Sequence, residues 1–472
     1  MGDTELRNDP DLRNNTELKA GADEPGAARV AVVRDLRGAR SVLAVAGLFA
    51  ANGALVGGIG ATLPAMRLRL GVDAGGLAVL LTSLAAAAVV SMQIGGRLTD
   101  SRGARNVVLP AGAFLIAGVA SLAFAPTLPL AVAAAVLVGL GNGAMDVSMN
   151  ALGVRVEQAR SKPVMSRLHA CFSIGNLAAA TAVILIARLV GDDATVVTPG
   201  LLTISAAALV IGVAIWRWVP SAPSIGTADR PGDALPSPPP RPPSPSPSRS
   251  PSPSPSHSPS PSPALSPSLR VTRLKRLLHL PRLLHLPRLP AFALLLGAMA
   301  FSFGLAEGTA VDWSSVHVTD VARVTPSTGA LGLVAVSGFM IVIRLFGDRA
   351  VVAFGRANVV RFGGLVASAG YLVTFLGQPL PVLLVGWALV GLGVGMIAPQ
   401  VYAVAGHAGG GRMLAIVVTF GYSAFLIGPA IVGALVRQVG IRHAMAFPLV
   451  LSVVLVALSG VLSREASRSV TV

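Results

Sequence analysis

The stretch Leu137-Val-Gly-Leu-Gly-Asn-Gly143 recurs 252 residues later as Leu389-Val-Gly-Leu-Gly-Val-Gly395. Two further matches have almost the same offset. Residues 172–176 (Phe-Ser-Ile-Gly-Asn) match 425–429 (Phe-Leu-Ile-Gly-Pro) at 253 residues, and Gly53 and Gly57 match Gly304 and Gly308 at 251 residues. One short match in Gly- and Leu-rich sequence means little. Three matches at nearly one offset indicate that the chain is a duplicated unit.

The composition excludes a water-soluble protein of this size. The chain has 472 residues, 53% of them hydrophobic and 12% charged, and its mean hydropathy is +0.71. Soluble domains carry about 25% charged residues, so the surplus apolar surface must face lipid. This excludes a cytosolic enzyme, a nucleic-acid module and a secreted disulfide scaffold, the last also because Cys171 is the single cysteine. The net charge of +16 indicates no nucleic acid, because the basic residues lie mostly between apolar blocks.

Apolar blocks long enough to span a bilayer occur in two sets of six. A spanning helix needs about 20 mostly apolar residues. The first set lies near residues 41–63, 74–97, 106–126, 128–152, 165–190 and 197–219, and the second near 290–312, 327–346, 357–377, 380–404, 413–436 and 443–463. The sequence therefore predicts an all-α polytopic membrane protein with twelve transmembrane helices in two pseudo-symmetric six-helix bundles.

The arginines predict the orientation. With the N-terminus in the cytoplasm, 31 basic residues fall on the cytoplasmic side and 6 on the other. Without the tails and the long linker the ratio is still 12 to 6, and short loops carry most of the topology signal. We therefore expect a multi-pass protein of the bacterial inner (cytoplasmic) membrane with both termini cytoplasmic.

Polar segments separate the two predicted bundles and flank them. The tail is polar, mixed in charge and without the apolar region of a signal peptide. The linker is rich in Pro and Ser, which predicts disorder, and it ends in a repeated Arg-Leu-Leu-His-Leu-Pro unit that is typical of an interfacial segment or of low-complexity sequence. The predicted organisation is a disordered N-terminal tail (1–40), a first bundle (41–219), the linker (220–289), a second bundle (290–463) and a C-terminal tail (464–472).

A charged loop between the second and third blocks carries the sharpest motif. Residues 96–105 read Gly-Arg-Leu-Thr-Asp-Ser-Arg-Gly-Ala-Arg. They resemble the G-x-L-x-D-R-x-G-R-R loop of the major facilitator superfamily, except that Ser101 displaces the basic residue by one position. A looser second copy begins at Arg344 and includes Asp348 and Arg349. The resemblance implies the twelve-helix fold of a secondary transporter that works by alternating access.

The loop residues are candidates for a conformational gate. Asp100 could form an ion-pair cluster with the surrounding arginines in one conformation, and glycines permit the tight turn. The alternative is a solvated loop that only sets topology. The gate candidates are Gly96, Arg97, Asp100, Arg102, Gly103, Arg105, Asp348 and Arg349.

Four short segments resemble one branch of the superfamily. They are Asp146–Asn150, His169–Ser173, Asp312–Ser314 and Gly421–Tyr422. The branch is the YbjJ/MosC-like one, which is distantly similar to fucose-permease-type sugar symporters. This resemblance implies a small polar solute as substrate.

Polar side chains inside the apolar blocks are candidates for substrate binding or proton coupling. Asn142, Asp146 and Asn150 recur at i, i+4 and i+8, which places them on one helix face. His169, Ser173 and Asn176 form a similar stripe on the next helix. A carboxylate at membrane depth is expensive, which favours a functional role. Helix–helix hydrogen bonding is the alternative for the amides and hydroxyls.

The second half offers matching groups. Glu307 lies in the seventh block, and Asp312 and Trp313 are expected at its external end, where Trp313 could stack on a sugar face. Tyr402 matches Asn150 by the repeat offset. The remaining candidates are Asn52, Gln400 and Tyr422.

The expected function is transport and not catalysis. The sequence has no zinc-type Cys/His spacing and no phosphate-binding loop with Lys-Ser/Thr, so we expect no cofactor and no metal. A transmembrane proton gradient is the expected driving force, with Asp146 or Glu307 as proton carrier. The expected partners are a small-molecule solute and the lipid bilayer, with no nucleic acid, for a monomer. The alternatives are a drug or metabolite exporter of the same superfamily, disfavoured because helix five lacks the Gly-Pro of such exporters, and a non-transporting receptor or scaffold.

Overall fold

The computed structural model describes residues 36–160, 164–190, 194–221 and 291–463, and all its regular structure there is helical. The predictions for the tail before residue 36, for the linker and for residues 464–472 concern segments outside this part of the chain. The described residues form a single unit in which helices of both predicted bundles pack together.

Six long helices form the first half. Asp73 begins the second of them by accepting a hydrogen bond from the Gly76 amide at 3.0 Å, a normal N-cap. Gly71, with φ of 62°, ends the first. The helices are α1 (Ala39–Leu70), α2 (Ala74–Arg102), α3 (Arg105–Ala123), α4 (Leu128–Arg160), α5 (Met165–Val190) and α6 (Val197–Ile215).

The second half repeats this order. Its helices are α7 (Ala291–Ala322), α8 (Leu331–Phe354), α9 (Arg356–Leu376), α10 (Leu380–Val394), α11 (Ile397–Ala444) and α12 (Ala446–Leu458), with a single helical turn (Pro326–Gly329) before α8 and a 3₁₀ turn (Ser459–Ser463) after α12. A straight helix would separate Tyr402 and Gly421 by about 28 Å. Yet a Cβ atom placed on Gly421 would overlap the Tyr402 hydroxyl, so the two residues are in contact. The chain therefore reverses within α11.

The predicted membrane fold is confirmed, with differences in length. Within the described residues, eleven helical segments are long and apolar enough to cross a membrane, and α11 contributes to two of them, Leu380–Gly406 and Ile416–Ala444. The segment expected as the twelfth span is a shorter apolar helix, Ala446–Leu462. Helices α1, α4 and α7 continue seven to ten residues beyond their predicted ends. The predicted spans end where the apolar stretch ends, whereas the helical hydrogen bonds continue through the polar residues that follow.

Close glycine contacts reproduce the sequence duplication in space. A Cβ on Gly139 of α4 would overlap the carbonyl oxygen of Leu84 in α2. A Cβ on Gly391 of α10 would overlap the carbonyl of Val336 in α8, and both partners are also 252 residues apart. The glycines of the repeated motif, at residues 137–143 and 389–395, therefore form the surface on which α4 and α10 approach neighbouring backbones. Small residues have this role in many membrane bundles.

The first helix of each half packs on the fifth in the same way. Gly53 of α1 lies against the Phe172 carbonyl of α5, and Gly304 of α7 lies against the Gly421 carbonyl of α11. This contact fixes α5 beside α1, and it fixes the equivalent strip of α11 beside α7. These two glycine contacts position the polar stripe of α5 and the part of α11 that contains Tyr422.

Gly139→Ala should lower the stability of the purified protein, because the methyl group would overlap the Leu84 carbonyl and push α2 from α4. Overpacking of this kind costs about 1–3 kcal/mol. The measurement is the thermal midpoint in detergent. Gly212→Ala is the matched control, since it adds a methyl group where no atom lies within 4 Å. Equal midpoints for the two variants would contradict the packing role.

Candidate functional site

Asp146 joins the two halves of the molecule. The Tyr422 hydroxyl of α11 donates a hydrogen bond to its Oδ2 at 3.2 Å. The Asn150 Nδ2, one turn further along α4, donates to its Oδ1 at 3.1 Å and to its carbonyl oxygen at 2.9 Å. The predicted stripe on α4 thus faces the second half, and a residue of that half completes it.

Arg344 corrects the sequence prediction. The sequence placed it in a charged loop equivalent to the one at Gly96, and counted it among the cytoplasmic basic residues. In the structure it lies well inside α8 and is 8% exposed. A single arginine does not end a helix whose backbone hydrogen bonds continue, so α8 runs on to Phe354.

The Arg344 guanidinium binds groups from both halves. Its Nη2 donates to Glu307 Oε1 of α7 at 2.8 Å. Its Nη1 donates to Ser173 Oγ at 2.6 Å and to the His169 carbonyl at 3.2 Å, both in α5. Its Nε donates to the Gly395 carbonyl at 3.3 Å. Glu307 and the α5 stripe, both predicted site elements, therefore meet through a residue that the sequence prediction did not include in the site.

Tyr402 lies between the two carboxylates. It is close enough to interact with the charges of both Glu307 and Asp146. The Tyr371 hydroxyl lies next to Glu307 in the chain's fold, where it donates a hydrogen bond to the carbonyl of the preceding residue, Ala306, at 2.5 Å. Two groups of residues thus meet at the contact between the halves. One is Asp146 with Asn150 and Tyr422, the other is Arg344 with Glu307, Ser173 and His169, and Tyr402 is close to both carboxylates.

Asp312 and Trp313 do not lie at the end of their helix, contrary to the expectation. Helix α7 continues to Ala322, and Trp313 is 1% exposed. Both residues line a small pocket between α7 and α11. The helix continues because the residues after Trp313, from Ser314 to Thr319, are residues without charge and one buried histidine, and all of them pack inside the bundle. Trp313 therefore offers no open face to a solute in this conformation.

The amide candidates are buried without forming a cluster. The Asn52 Nδ2, Asn142 Oδ1 and Asn176 Oδ1 atoms are buried and have no hydrogen-bond partner in the structure. Asn176 packs directly on Gly57 of α1, which supports the helix-packing alternative for this residue. Gln400 is also buried.

The predicted ion-pair cluster of the charged loop is not formed in this conformation. Arg97, Asp100 and Arg102 are exposed, and no ion pair joins Asp100 to an arginine within the described ranges. Arg105 instead binds the end of α6, donating to the Val219 and Trp216 carbonyls at 2.6 and 3.0 Å.

The glycines of this loop have different environments. Gly103 adopts φ of 85°, which favours glycine and makes the tight turn between α2 and α3. Gly96 has open space toward Val147. In the second copy Arg349 is exposed, and the side chain of Asp348 is not among those described. The gate role of the loop stays a prediction.

The opposite end of the bundle, where α1 and α7 end, is joined by ion pairs between the halves. Arg67 of α1 donates two hydrogen bonds to Asp320 of α7, at 2.7 and 2.5 Å. Both side chains are largely buried, at 20% and 28% exposure. Arg437 of α11 and Asp73 of α2 form a weaker pair at 3.7 Å, with both side chains mostly exposed. The Arg67–Asp320 pair could not be predicted from the sequence, because its two residues are 253 positions apart.

A duplicated bundle of membrane-spanning helices, with buried charges at the contact between its halves, defines the class of secondary transporters. The chain belongs to the Major Facilitator Superfamily, whose family model matches residues 43–351. It is 30% identical over 403 residues to an uncharacterized transporter, y4wD, of Sinorhizobium fredii, covering 84% of this chain and 92% of the relative. It is 26% identical over 435 residues to the membrane protein MosC of Rhizobium meliloti, covering 90% and 91%.

Solved structures confirm the fold. A D-xylose-proton symporter superposes with a TM-score of 0.61 at 15% identity, covering 90% of this chain and 96% of that one. The nucleoside transporter NupG superposes with a TM-score of 0.56 at 14% identity, covering 90% and 98%. The chain is thus a membrane transporter of this superfamily and not an enzyme.

Asp320→Asn should favour opening of the end that Arg67 and Asp320 join. It removes the charge that holds a half-buried guanidinium, a loss of roughly 1.5 kcal/mol or more, which is about tenfold in the populations of the two states. The reporter is an Ala78→Cys thiol on a Cys171→Ala background, because Ala78 is buried against Gly433 of the other half. The measurement is the rate of its reaction with a water-soluble thiol reagent.

Asp73→Asn is the matched control for this substitution. Asparagine keeps the helix cap, and the exposed pair with Arg437 contributes little. An unchanged labelling rate in Asp320→Asn, or an equal rise in both variants, would contradict the role of the Arg67–Asp320 pair.

Proposed function

We propose that the protein is a proton-coupled secondary active transporter that moves a small polar solute across the membrane by alternating access. The observation that carries this proposal is the pair of buried carboxylates, one in each half. Asp146 is bound by Tyr422 of the other half, and Glu307 is linked to α5 of the other half through Arg344. A buried carboxylate that alternates between protonated and ionised states can carry a proton as the site opens to either side.

The contacts between the halves support alternating access. Midway along the helices they include one hydrogen bond from Tyr422 and two from Arg344, and at one end they include the Arg67–Asp320 pair. Such contacts can be exchanged as two rigid bundles rock about a central site. Within each half, close glycine contacts such as those of Gly139 and Gly391 pack neighbouring helices together and would help each bundle to move as one body.

The polar site favours a hydroxylated solute that is sugar- or cyclitol-like. Tyr402, Tyr422 and Asn150 offer donors and acceptors beside the two carboxylates. The fold similarity to a D-xylose-proton symporter and to a nucleoside transporter is in line with this class of solute. Trp313, which is enclosed, plays no part in solute binding in this proposal.

We further propose that the protein lies in the bacterial inner membrane with both termini in the cytoplasm, as the arginine distribution predicts. Removing Arg344 from the cytoplasmic count leaves the excess in place. In this orientation the Arg67–Asp320 pair would face the outside, and the Gly96–Arg105 loop would face the cytoplasm.

Counterflow in proteoliposomes tests the proposal directly. Vesicles loaded with one unlabelled solute from a panel of sugars, cyclitols and nucleosides should take up a trace of the same labelled solute. Counterflow needs no proton gradient, so it separates transport from coupling. A protein that inserts correctly and gives no counterflow with any solute of the panel would favour the receptor or scaffold alternative.

Asp146→Asn and Glu307→Gln should separate the carrier from a binding residue. Neutralising the carrier should abolish accumulation against a gradient while leaving counterflow, because exchange needs no net movement of protons. Neutralising the other carboxylate should change the apparent affinity several-fold and leave accumulation dependent on pH. Proton-driven uptake and counterflow are both measured for each variant across about pH 6–8, a range one unit either side of neutrality.

Asp73→Asn serves as the control here, since it removes an exposed carboxylate outside the site. If both site variants accumulate solute with the pH dependence of the parent protein, neither carboxylate is the carrier and both are structural.

A further inference from the structure

Arg344, at 8% exposure, is the least exposed Asp, Glu, Lys or Arg in the part of the chain that the structure describes. An unpaired ion at such a position is costly in a membrane protein. Its retention therefore requires a counter-charge and a set of acceptors. The structure supplies one carboxylate, Glu307, and three oxygen acceptors, two of them on α5 of the other half.

The planar guanidinium distributes its donors between the two halves. One terminal nitrogen binds Glu307, and the other binds Ser173 and His169. A guanidinium is rigid, so the position of one terminal nitrogen fixes the position of the other. The orientation that Glu307 imposes on Arg344 is thus the orientation that allows the bonds to α5.

We propose that Arg344 is a positioning residue that makes the contact between α5 and α8 depend on the charge of Glu307. With Glu307 ionised, Arg344 is neutralised in place and binds α5. When a proton from water binds a Glu307 oxygen, the carboxyl becomes neutral while Arg344 stays charged. The unpaired cation then moves toward water and releases Ser173 and His169. This inference rests on the proposed function, in which Glu307 takes up a proton.

The groups around the ion pair offer no second counter-charge. Tyr371 from α9 and Tyr402 from α11 approach Glu307 closely enough to interact with its charge, and the His169 ring from α5 interacts with the charge of Arg344. Neutral phenols and an imidazole cannot replace a carboxylate. Asp146 accepts hydrogen bonds from Tyr422 and Asn150, and no ion pair joins it to Arg344 among the described residues.

A stability cycle tests the pairing without any solute. The full chain in detergent is compared with Glu307→Gln, Arg344→Gln and the double variant. Each single variant leaves one buried charge unpaired and should lower the thermal midpoint by at least about 5 °C. The double variant should recover at least half of that loss. Arg361→Gln is the control for loss of an arginine, because Arg361 is exposed and donates a hydrogen bond to Ser459 within its own half. Additive losses in the double variant would overturn the pairing.

Hydrogen exchange tests the switch itself. Peptides that cover His169–Ser173 should exchange about tenfold faster in Glu307→Gln than in the parent protein, after correction for intrinsic rates. Exchange in the parent should rise as the pH falls, and exchange in Glu307→Gln should not depend on pH. Arg344→Lys keeps a charge for Glu307 but lacks the fork that also reaches α5, so it should stay nearly as stable as the parent and lose the α5 protection. Arg361→Gln should leave the protection of α5 unchanged.

These outcomes are independent of the transport assay. Persistent pH dependence in Glu307→Gln, or parent-like protection of α5 in Arg344→Lys, would overturn the role of Arg344 even if counterflow succeeds. Absence of counterflow with the expected exchange pattern would instead overturn the proposed function and leave the switch in place.

Discussion

The low polarity of a bilayer interior is the constraint on which this structure depends. Backbone groups are satisfied within helices, so the remaining problem is where to put charges. The described part of the molecule places Arg344, Glu307 and Asp146 at the contact between its two halves, and each of them bonds there to side chains of its neighbours. The surfaces within each half are instead filled by glycine contacts and apolar side chains. The close backbone packing within each half and the charged contacts between the halves are thus made by separate sets of residues.

That separation explains why the duplication is visible in the sequence. Gly139 and Gly391 approach equivalent backbones because close helix packing leaves no room for a side chain, and so the same residue type recurs in both halves. The charged groups show no such symmetry. Arg344 of α8 has no basic equivalent at the matching position of α2: the residue 252 positions earlier is Met92, and all residues from Ser91 to Ile94 are uncharged. The glycine contacts that pack the helices are repeated in both halves, whereas the charged residues differ between the halves.

Much of the fold could be predicted from the sequence, because hydropathy and repeats are local patterns. The stripe of Asp146 and Asn150 on α4 was also readable, since its periodicity belongs to one helix. Its partner Tyr422 was named as a candidate, but its pairing with Asp146 joins residues 276 apart and follows from tertiary packing alone. Arg344 and Asp312 were misplaced for one reason: a charge in an apolar run was interpreted as the end of a helix.

The two ends of the bundle differ in a way that bears on mechanism. At one end Arg67 and Asp320 form two short hydrogen bonds across the halves, while at the other Asp100 is exposed and unpaired with the described arginines. A transporter whose halves were held together at both ends at once would trap its solute, and one held together at neither end would let the solute leak. Unequal ends are what a two-state device requires, because a contact biases the equilibrium only if it exists in one state and not in the other. The Arg344 contact lies between these ends, so a change of charge at Glu307 acts where the two states must exchange.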